Sequence, residues 1–143
     1  MRLSVQTDYA LRTLMFLAAK EGHHSIAEIA GQYGISKNHL MKVAQRLAAE
    51  GFIESVRGRS GGLKLARPAG ALNVGSIVRL MEDTGTFVEC FDPATNQCVI
   101  TPACGLRHAL NGAVQAFLQY LDGFTVSDLV EDAGSFKLLL EGQ

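Results

Sequence analysis

The sequence predicts a mainly α-helical chain with one small β-hairpin. Three observations predict it. Apolar residues recur at three- and four-residue spacing in several separate stretches, the mark of helices with one buried face. A glycine-rich hexapeptide, R-G-R-S-G-G, separates two short β-prone runs. A second long amphipathic stretch follows a cysteine-bearing segment of irregular pattern. The chain has 143 residues, 48% of them apolar and 19% charged, enough for a folded domain with a real core. The longest uninterrupted apolar run, Leu14 to Ala19, is far too short to span a bilayer. The first ten residues lack the apolar stretch of a secretory signal, so a cytoplasmic protein with no membrane role is expected.

In chain order, Thr7 can cap a first helix running to about Lys20, with Leu11, Leu14, Met15 and Ala18 as its apolar stripe. His23 and His24 then read as solvent-exposed turn residues. Ser25 opens S-I-A-E, a capping box with Glu28, before a short second helix that buries Ile26, Ile29 and Ala30 and stops at Tyr33-Gly34. Ser36 caps a third helix, in which Leu40, Val43, Ala44 and Leu47 repeat at i, i+3, i+4 and i+7 until Gly51. Two helices joined by a tight glycine turn form a helix-turn-helix. The β-prone runs Phe52–Val56 and Leu63–Ala66 flank the tip Arg57–Gly62 and add a basic wing. Asn73 caps a fourth helix near Val74–Glu82. Residues 84 to 103 read as a long loop, a length that is usually functional. The last long helix spans about Cys104 to Leu121, with Leu106, Leu110, Ala113, Val114, Phe117 and Leu121 on one side. Ala109, Gly112, Ala113 and Ala116 would let another helix approach closely, which predicts dimerisation there. Thr125 with Asp128 caps a final short piece, and the tail ends in Leu138-Leu139-Leu140. The expected organisation is therefore a winged helix-turn-helix DNA-binding region over 1–83, a cysteine-bearing loop over 84–104, and a dimerisation helix with C-terminal tail over 105–143.

Charge is distributed to match. Residues 1–67 hold ten Lys/Arg against five acids, net +5, whereas residues 68–143 hold three against nine, net −6. A basic front half suits a polyanion partner. Opposite the apolar stripe of the third helix lie Asn38, Lys42 and Gln45, flanked by His39 and Arg46, with Ser36 and Lys37 at its start. These amide and cationic groups can bond base edges and phosphates in a major groove. Arg57, Arg59 and Ser60 in the wing tip can reach the backbone or an adjacent minor groove. Such a module buries limited area, so tight binding requires a homodimer on a palindromic double-stranded operator with half-sites about 34–36 Å apart or a multiple of that.

All three cysteines, Cys90, Cys98 and Cys104, fall in one window as C-x7-C-x5-C. An odd number in a cytoplasmic chain argues against a disulfide framework. Three thiolates can converge on one soft centre, zinc, copper(I) or an iron–sulfur cluster, and spacing does not separate these. His108, one turn after Cys104, can complete a Cys3His zinc site as the minority alternative. Asp8 sits in the first turn of the first helix, where a carboxylate stabilises the helix dipole without any metal.

Taken with these residues, the chain resembles the NsrR group of nitric-oxide-sensing repressors, within the winged-helix regulator family that includes IscR and RirA. The likeness covers nearly the whole chain. It rests on MRLSVQTDYALR, ISKNHLMKV, VRGRSGGLKLARP, VECFDPATNQCVITPACGLRHAL and LDGFTVSDLV. The resemblance implies a dimeric transcriptional repressor with one [4Fe–4S] cluster per protomer on Cys90, Cys98 and Cys104. It also implies Asp8 of the other subunit as fourth ligand. Arg12, one turn on along the same helix face, can orient Asp8 or equally be a surface charge. Nitric oxide would then be the signal, and release of nitric-oxide detoxification operators the response. IscR-like proteins place a histidine three residues after the last cysteine; here that position is Arg107. The rival readings are RirA-like iron sensing, a metal-free thiol switch, and an enzyme using the cysteines in redox chemistry. For the enzyme, no nucleophile–base pair or substrate motif speaks.

Overall fold

The computed structural model describes residues 2–83, 85 and 87–142. Thr84 and Thr86, at the start of the expected cysteine loop, lie outside them, as do Met1 and Gln143. The elements run α1 (Val5–Ala19), α2 (Ile26–Tyr33), α3 (Lys37–Ala49), β1 (Ile53–Val56), β2 (Gly62–Leu65), α4 (Val74–Met81), α5 (Gly105–Asp122) and α6 (Ala133–Glu141). Three-residue 3-10 turns punctuate the connections.

Helix α1 starts earlier than the sequence suggested. Ser4, not Thr7, is its cap: Ser4 Oγ accepts the Thr7 backbone N–H at 3.2 Å, while the Thr7 hydroxyl, fully buried, pairs with Ser4 Oγ at 3.0 Å. The Ser4 N–H also donates to Glu82 Oε1 at 2.6 Å, tying the start of α1 to the end of α4. The expected single stripe is corrected too. Ala10, Thr13, Leu14, Phe16 and Leu17 are all buried, because α3, α4, β2 and α6 pack around this helix from several sides. Thr13 is tolerated inside because its hydroxyl donates to the Tyr9 carbonyl at 2.7 Å.

The second and third helices follow the sequence pattern closely. Ser25 caps α2 by accepting the Glu28 N–H at 3.1 Å, but Glu28 does not close the box; its carboxylate lies 2.9 Å from His24 Nδ1 instead. Gly34 ends the helix at φ 62°, a left-handed turn that suits glycine and redirects the chain into α3. In α3 the predicted stripe of Leu40, Val43, Ala44 and Leu47 is buried against α1.

Strands β1 and β2 pair antiparallel with Ile53 opposite Leu65 and Val56 opposite Gly62, and Lys64 Nζ meets Glu54 Oε1 at 2.6 Å across the ladder. The wing is anchored by a contact the sequence did not announce. The His24 N–H donates to the Leu63 carbonyl at 3.0 Å, and the Leu63 N–H returns to the His24 carbonyl at 2.8 Å. A Cβ on Gly62 would stand 2.8 Å from that His24 carbonyl, so only glycine lets the two backbones meet. His24 is thus no free turn residue; its ring packs edge-on to Phe16 at 5.1 Å.

Helices α4 and α5 cross with a second small core of Val74, Val78 and Leu118 between them. Asn73 caps α4 by accepting the Ser76 N–H at 2.9 Å and, through Nδ2, donates to the Asp122 carbonyl at 2.8 Å. Arg79 pairs bidentately with Asp122 at 2.5 and 2.7 Å. Beyond α5, Thr125 and Asp128 cap one another as expected, giving a single 3-10 turn at Asp128–Val130. Helix α6 follows, capped by Asp132, and returns Leu140 to the main core. Among the described residues, no helix is long and apolar enough to cross a membrane.

Candidate nucleic-acid interface and cysteine loop

Packing the apolar stripe of α3 inward leaves Ser36, Lys37, Asn38, His39, Lys42, Gln45 and Arg46 on the exposed side. Ser36 occupies the cap position, yet its side chain makes no cap hydrogen bond, which leaves its hydroxyl and the first amides of the helix facing solvent. Arg46 behaves differently from its neighbours. Its guanidinium donates to the Leu80 carbonyl at the end of α4, so it braces α3 against α4. The exposed face of α3 that Arg46 leaves unengaged is therefore centred on Asn38, Lys42 and Gln45.

In the wing, Arg57, Arg59 and Ser60 are exposed at the tip, where Gly58 at φ 120° and a Gly61 N–H to Gly58 carbonyl bond of 3.0 Å turn the chain. The exposed face of α3 and the wing tip both belong to the basic half of the sequence.

Asp8 lies in the first turn of α1, half-exposed. Its carboxylate is engaged bidentately by Arg12, with Nε to Oδ1 at 3.0 Å and Nη2 to Oδ2 at 3.0 Å. Arg12 in turn sits 5.9 Å from the centre of the Tyr33 ring, and the Tyr33 hydroxyl donates to the Arg12 carbonyl at 3.1 Å. Burial pushes the Tyr33 phenol up to about 12, opposed by the nearby Arg12 charge. Tyr33 is the last residue of α2, immediately before the turn into α3. A chain Asp8–Arg12–Tyr33 thus joins the start of α1 to the helix-turn-helix. The i, i+4 pairing of Asp8 with Arg12 was legible; the arrival of Tyr33 from α2 was not, since no local pattern carries it.

Cys90, Cys98 and Cys104 are free thiols of intermediate exposure. Each sits on its own hydrogen-bonded turn. Cys90 lies in the 3-10 turn Glu89–Phe91, with the Phe91 ring stacked on Phe87 at 6.3 Å. The Cys98 N–H donates to Asn96 Oδ1 at 3.0 Å and its carbonyl accepts the Thr101 hydroxyl at 2.8 Å. Cys104 caps α5, its Sγ accepting the Arg107 N–H at 3.4 Å. As donors, three unpaired thiols on one segment suit a soft, thiophilic iron centre in kind. Within the single chain they do not converge: among the described residues no group of three or more His, Cys, Asp or Glu side chains forms a metal-holding cluster. Neither Asp8 nor His108 completes such a group of three with them among the described residues.

Helix α5 buries only Leu118. Leu106 is 65% and Tyr120 71% exposed, and Ala109, Gly112, Ala113 and Ala116 also face solvent. A groove of about 570 Å³ runs between α5 and the α1–α4 junction, lined by Leu3, Val78, Phe87, Val114 and Phe117. The predicted approach face of this helix is thus unpartnered in one protomer.

Comparison with known proteins agrees with this architecture. The family described as Rrf2, iron-dependent transcriptional regulator, matches residues 3–132. The HTH-type transcriptional regulator NsrR of Bacillus subtilis (strain 168) is 48% identical over 143 residues, covering 99% of this chain and 98% of its own. NsrR of Geobacillus kaustophilus is 44% identical, covering 99% and 97%. Among solved structures, T. potens IscR superposes with a TM-score of 0.74 at 26% identity, over 93% of this chain and 88% of its own. The oxidized form of Staphylococcus aureus CymR gives 0.71 at 31%, over 92% and 97%. A helix-turn-helix with a basic wing, a three-cysteine segment and relatives of the same length agree on one assignment: the chain belongs to the Rrf2 family, a family of DNA-binding transcriptional regulators and not of enzymes.

Proposed function

We propose that this chain is a homodimeric repressor whose grip on DNA is set by a [4Fe–4S] cluster in each protomer, and that nitric oxide is its signal. In this reading residues 1–83 are the reading head, 84–104 the cluster loop, and 105–143 the dimerisation helix and tail. Cys90, Cys98 and Cys104 hold the cluster, and Asp8 of the other subunit supplies an oxygen ligand. Oxygen binds cluster iron less strongly than thiolate, which leaves that iron the accessible one. The cluster, when bound, supplies iron with which nitric oxide reacts.

The observation that carries the reading is the Asp8–Arg12–Tyr33 chain. A carboxylate drawn away from Arg12 gives up two charge-assisted bonds and leaves a guanidinium lying against the last residue of α2. Tyr33 holds the Arg12 carbonyl, so α2 and α1 register a change at Asp8 together, and the Gly34 turn passes it to α3. On the DNA, Asn38, Lys42 and Gln45 read base edges, Ser36, Lys37 and His39 approach phosphates, and Arg57, Arg59 and Ser60 hold the flanking backbone. Arg46 contributes by fixing α3 on α4. The name of the NsrR relatives, at 48% and 44% identity, supports the choice of nitric oxide, and the expected targets are operators of nitric-oxide detoxification genes.

A metal-free thiol switch is the second reading, favoured by the three free thiols and by the likeness to an oxidized CymR. Iron and acid-labile sulfide counts on anaerobically purified protein test the two. The proposal expects about four of each per protomer, with a marked loss in Cys98→Ala and a changed spectrum in Asp8→Ala. Protein without iron that forms an intramolecular disulfide would favour the switch.

A further inference from the structure

The three cysteines must meet across a segment in which thirteen residues separate the first from the last, and closing such a segment costs conformational entropy. Arg107, on the first turn of α5, spans the two ends. Its backbone N–H donates to Cys104 Sγ at 3.4 Å, and its side-chain Nε donates to the Cys90 carbonyl at 3.2 Å. No other hydrogen bond among the described residues joins the Cys90 turn to the Cys104 turn. Cys98 sits between local Asn96–Thr101 bonds, and the N–H of its neighbour Gln97 donates to Glu89 Oε1 at 2.5 Å, which ties that turn to the Cys90 turn. Arg107 is also half-buried and lines a groove of about 350 Å³ with Phe91 and His108, so its side chain is laid along the loop and not extended into water.

We propose that Arg107 is a positioning residue for the metal centre: its Nε–H closes the loop in the metal-free protein and presents Cys90 and Cys104 together at one helix end. It touches no iron in this role. It acts by raising the effective concentration of the first thiol at the third, while the Gln97–Glu89 bond keeps the second thiol's turn on the first. The inference rests on the iron–sulfur reading for its purpose, but its geometric content concerns the metal-free chain.

Two substitutions separate the hydrogen bond from the charge. Arg107→Gln keeps an N–H donor at the chain position of Nε and removes the charge. Arg107→Met keeps an unbranched chain as far as the Nε position and removes the donor. In metal-free, full-length protein equilibrated with glutathione, Cys90 and Cys104 pair when their two thiol hydrogens and an electron pair pass to oxidised glutathione, which leaves as two reduced molecules. Peptide mapping measures the extent of that particular pairing, and a melting curve checks that each variant is folded. The proposal expects Arg107→Met to lower the pairing constant about fivefold, the size of one net hydrogen bond, with Arg107→Gln within about twofold of the wild type. After anaerobic assembly with ferrous iron and sulfide, loss of the cluster to excess chelator should be about fivefold faster in Arg107→Met and near normal in Arg107→Gln, by the same reasoning. Equal pairing in all three proteins overturns the inference, as does equal loss in both variants, which would make charge the cause. A wild type that pairs as expected yet takes up no iron and sulfide would refute the iron–sulfur reading while leaving the closing role of Arg107 standing.

Discussion

Tyr33 shows how much one side chain can join. Its ring lies under the Arg12 guanidinium, its hydroxyl holds the α1 backbone, and its position ends α2. Because burial lifts its phenol from the usual 10 to about 12, the folded state resists ionisation. A raised folded value means the contribution is complete below about pH 10 and is lost as pH climbs through about 12. Tyr33→Phe should therefore cost about 1 kcal/mol at neutral pH from the lost hydrogen bond, and should flatten the alkaline fall in melting temperature that the wild type shows. Asp122 works in the opposite sense. The hydrogen bonds from Arg79 hold its carboxyl below the ordinary range, so its contribution is present at neutral pH and disappears as acid protonates it. Melting curves of Asp122→Asn should lie below the wild type at pH 7 and meet it in strong acid. Residues of this kind divide by range. The Asp8–Arg12 pair was readable because four residues separate its members on one helix. Tyr33 and Arg107 were not, because their partners lie 21 and 17 residues away.

The helices were legible in proportion to how one-sided their burial is. Helix α3 packs one face on α1 and leaves the other to solvent, so its period-3.6 pattern gave both the core residues and the candidate reading face. Leu40→Ala or Leu47→Ala, each removing a fully buried side chain, should cost about 2–5 kcal/mol in chemical denaturation and disorder that face. Helix α1 is enclosed on several sides and caps itself one turn early at Ser4, which blurred both its stripe and its start. Ser4→Ala should cost about 1 kcal/mol, with Thr7 unable to replace it because its hydroxyl is buried. Helix α6 was unreadable for a simpler reason: it is only nine residues long, has the weak helix former Gly134 in its first turn, and is held by docking Phe136 and Leu140 on the core. The wing was legible as a hairpin, yet its anchorage through His24 was not, since a single backbone bridge leaves no compositional trace. At the reading surface, Lys42→Ala and Asn38→Ala should change sequence preference. Arg59→Ala should weaken all sequences and reduce the salt dependence by about one counterion. Arg46→Ala should act through stability instead, because its guanidinium is spent on Leu80.

At the scale of the whole molecule, the basic half and the acidic half meet where α4 packs on α1 and takes the Arg46 bond from α3, and α5 is carried on α4. Its apolar and small residues face solvent in one protomer, and a second copy would cover them. Leu106→Glu or Phe117→Glu should shift the protein to monomer in sedimentation and lower operator affinity by at least tenfold, since each half-site would then be bound alone. The cysteines belong to this scale as well. Sequence showed which residues share one donor chemistry, but the three thiols stand on three separate turns whose relative placement rests on bonds spanning 8 and 17 residues, which local pattern does not encode. The central claim is that the state of this centre governs the hold on DNA. Its most direct test is operator affinity measured anaerobically on cluster-loaded protein, at fixed salt, as nitric oxide is titrated in. The account predicts tight binding that falls by an order of magnitude or more in step with the loss of cluster absorbance; affinity that stays unchanged after the cluster has gone would contradict it.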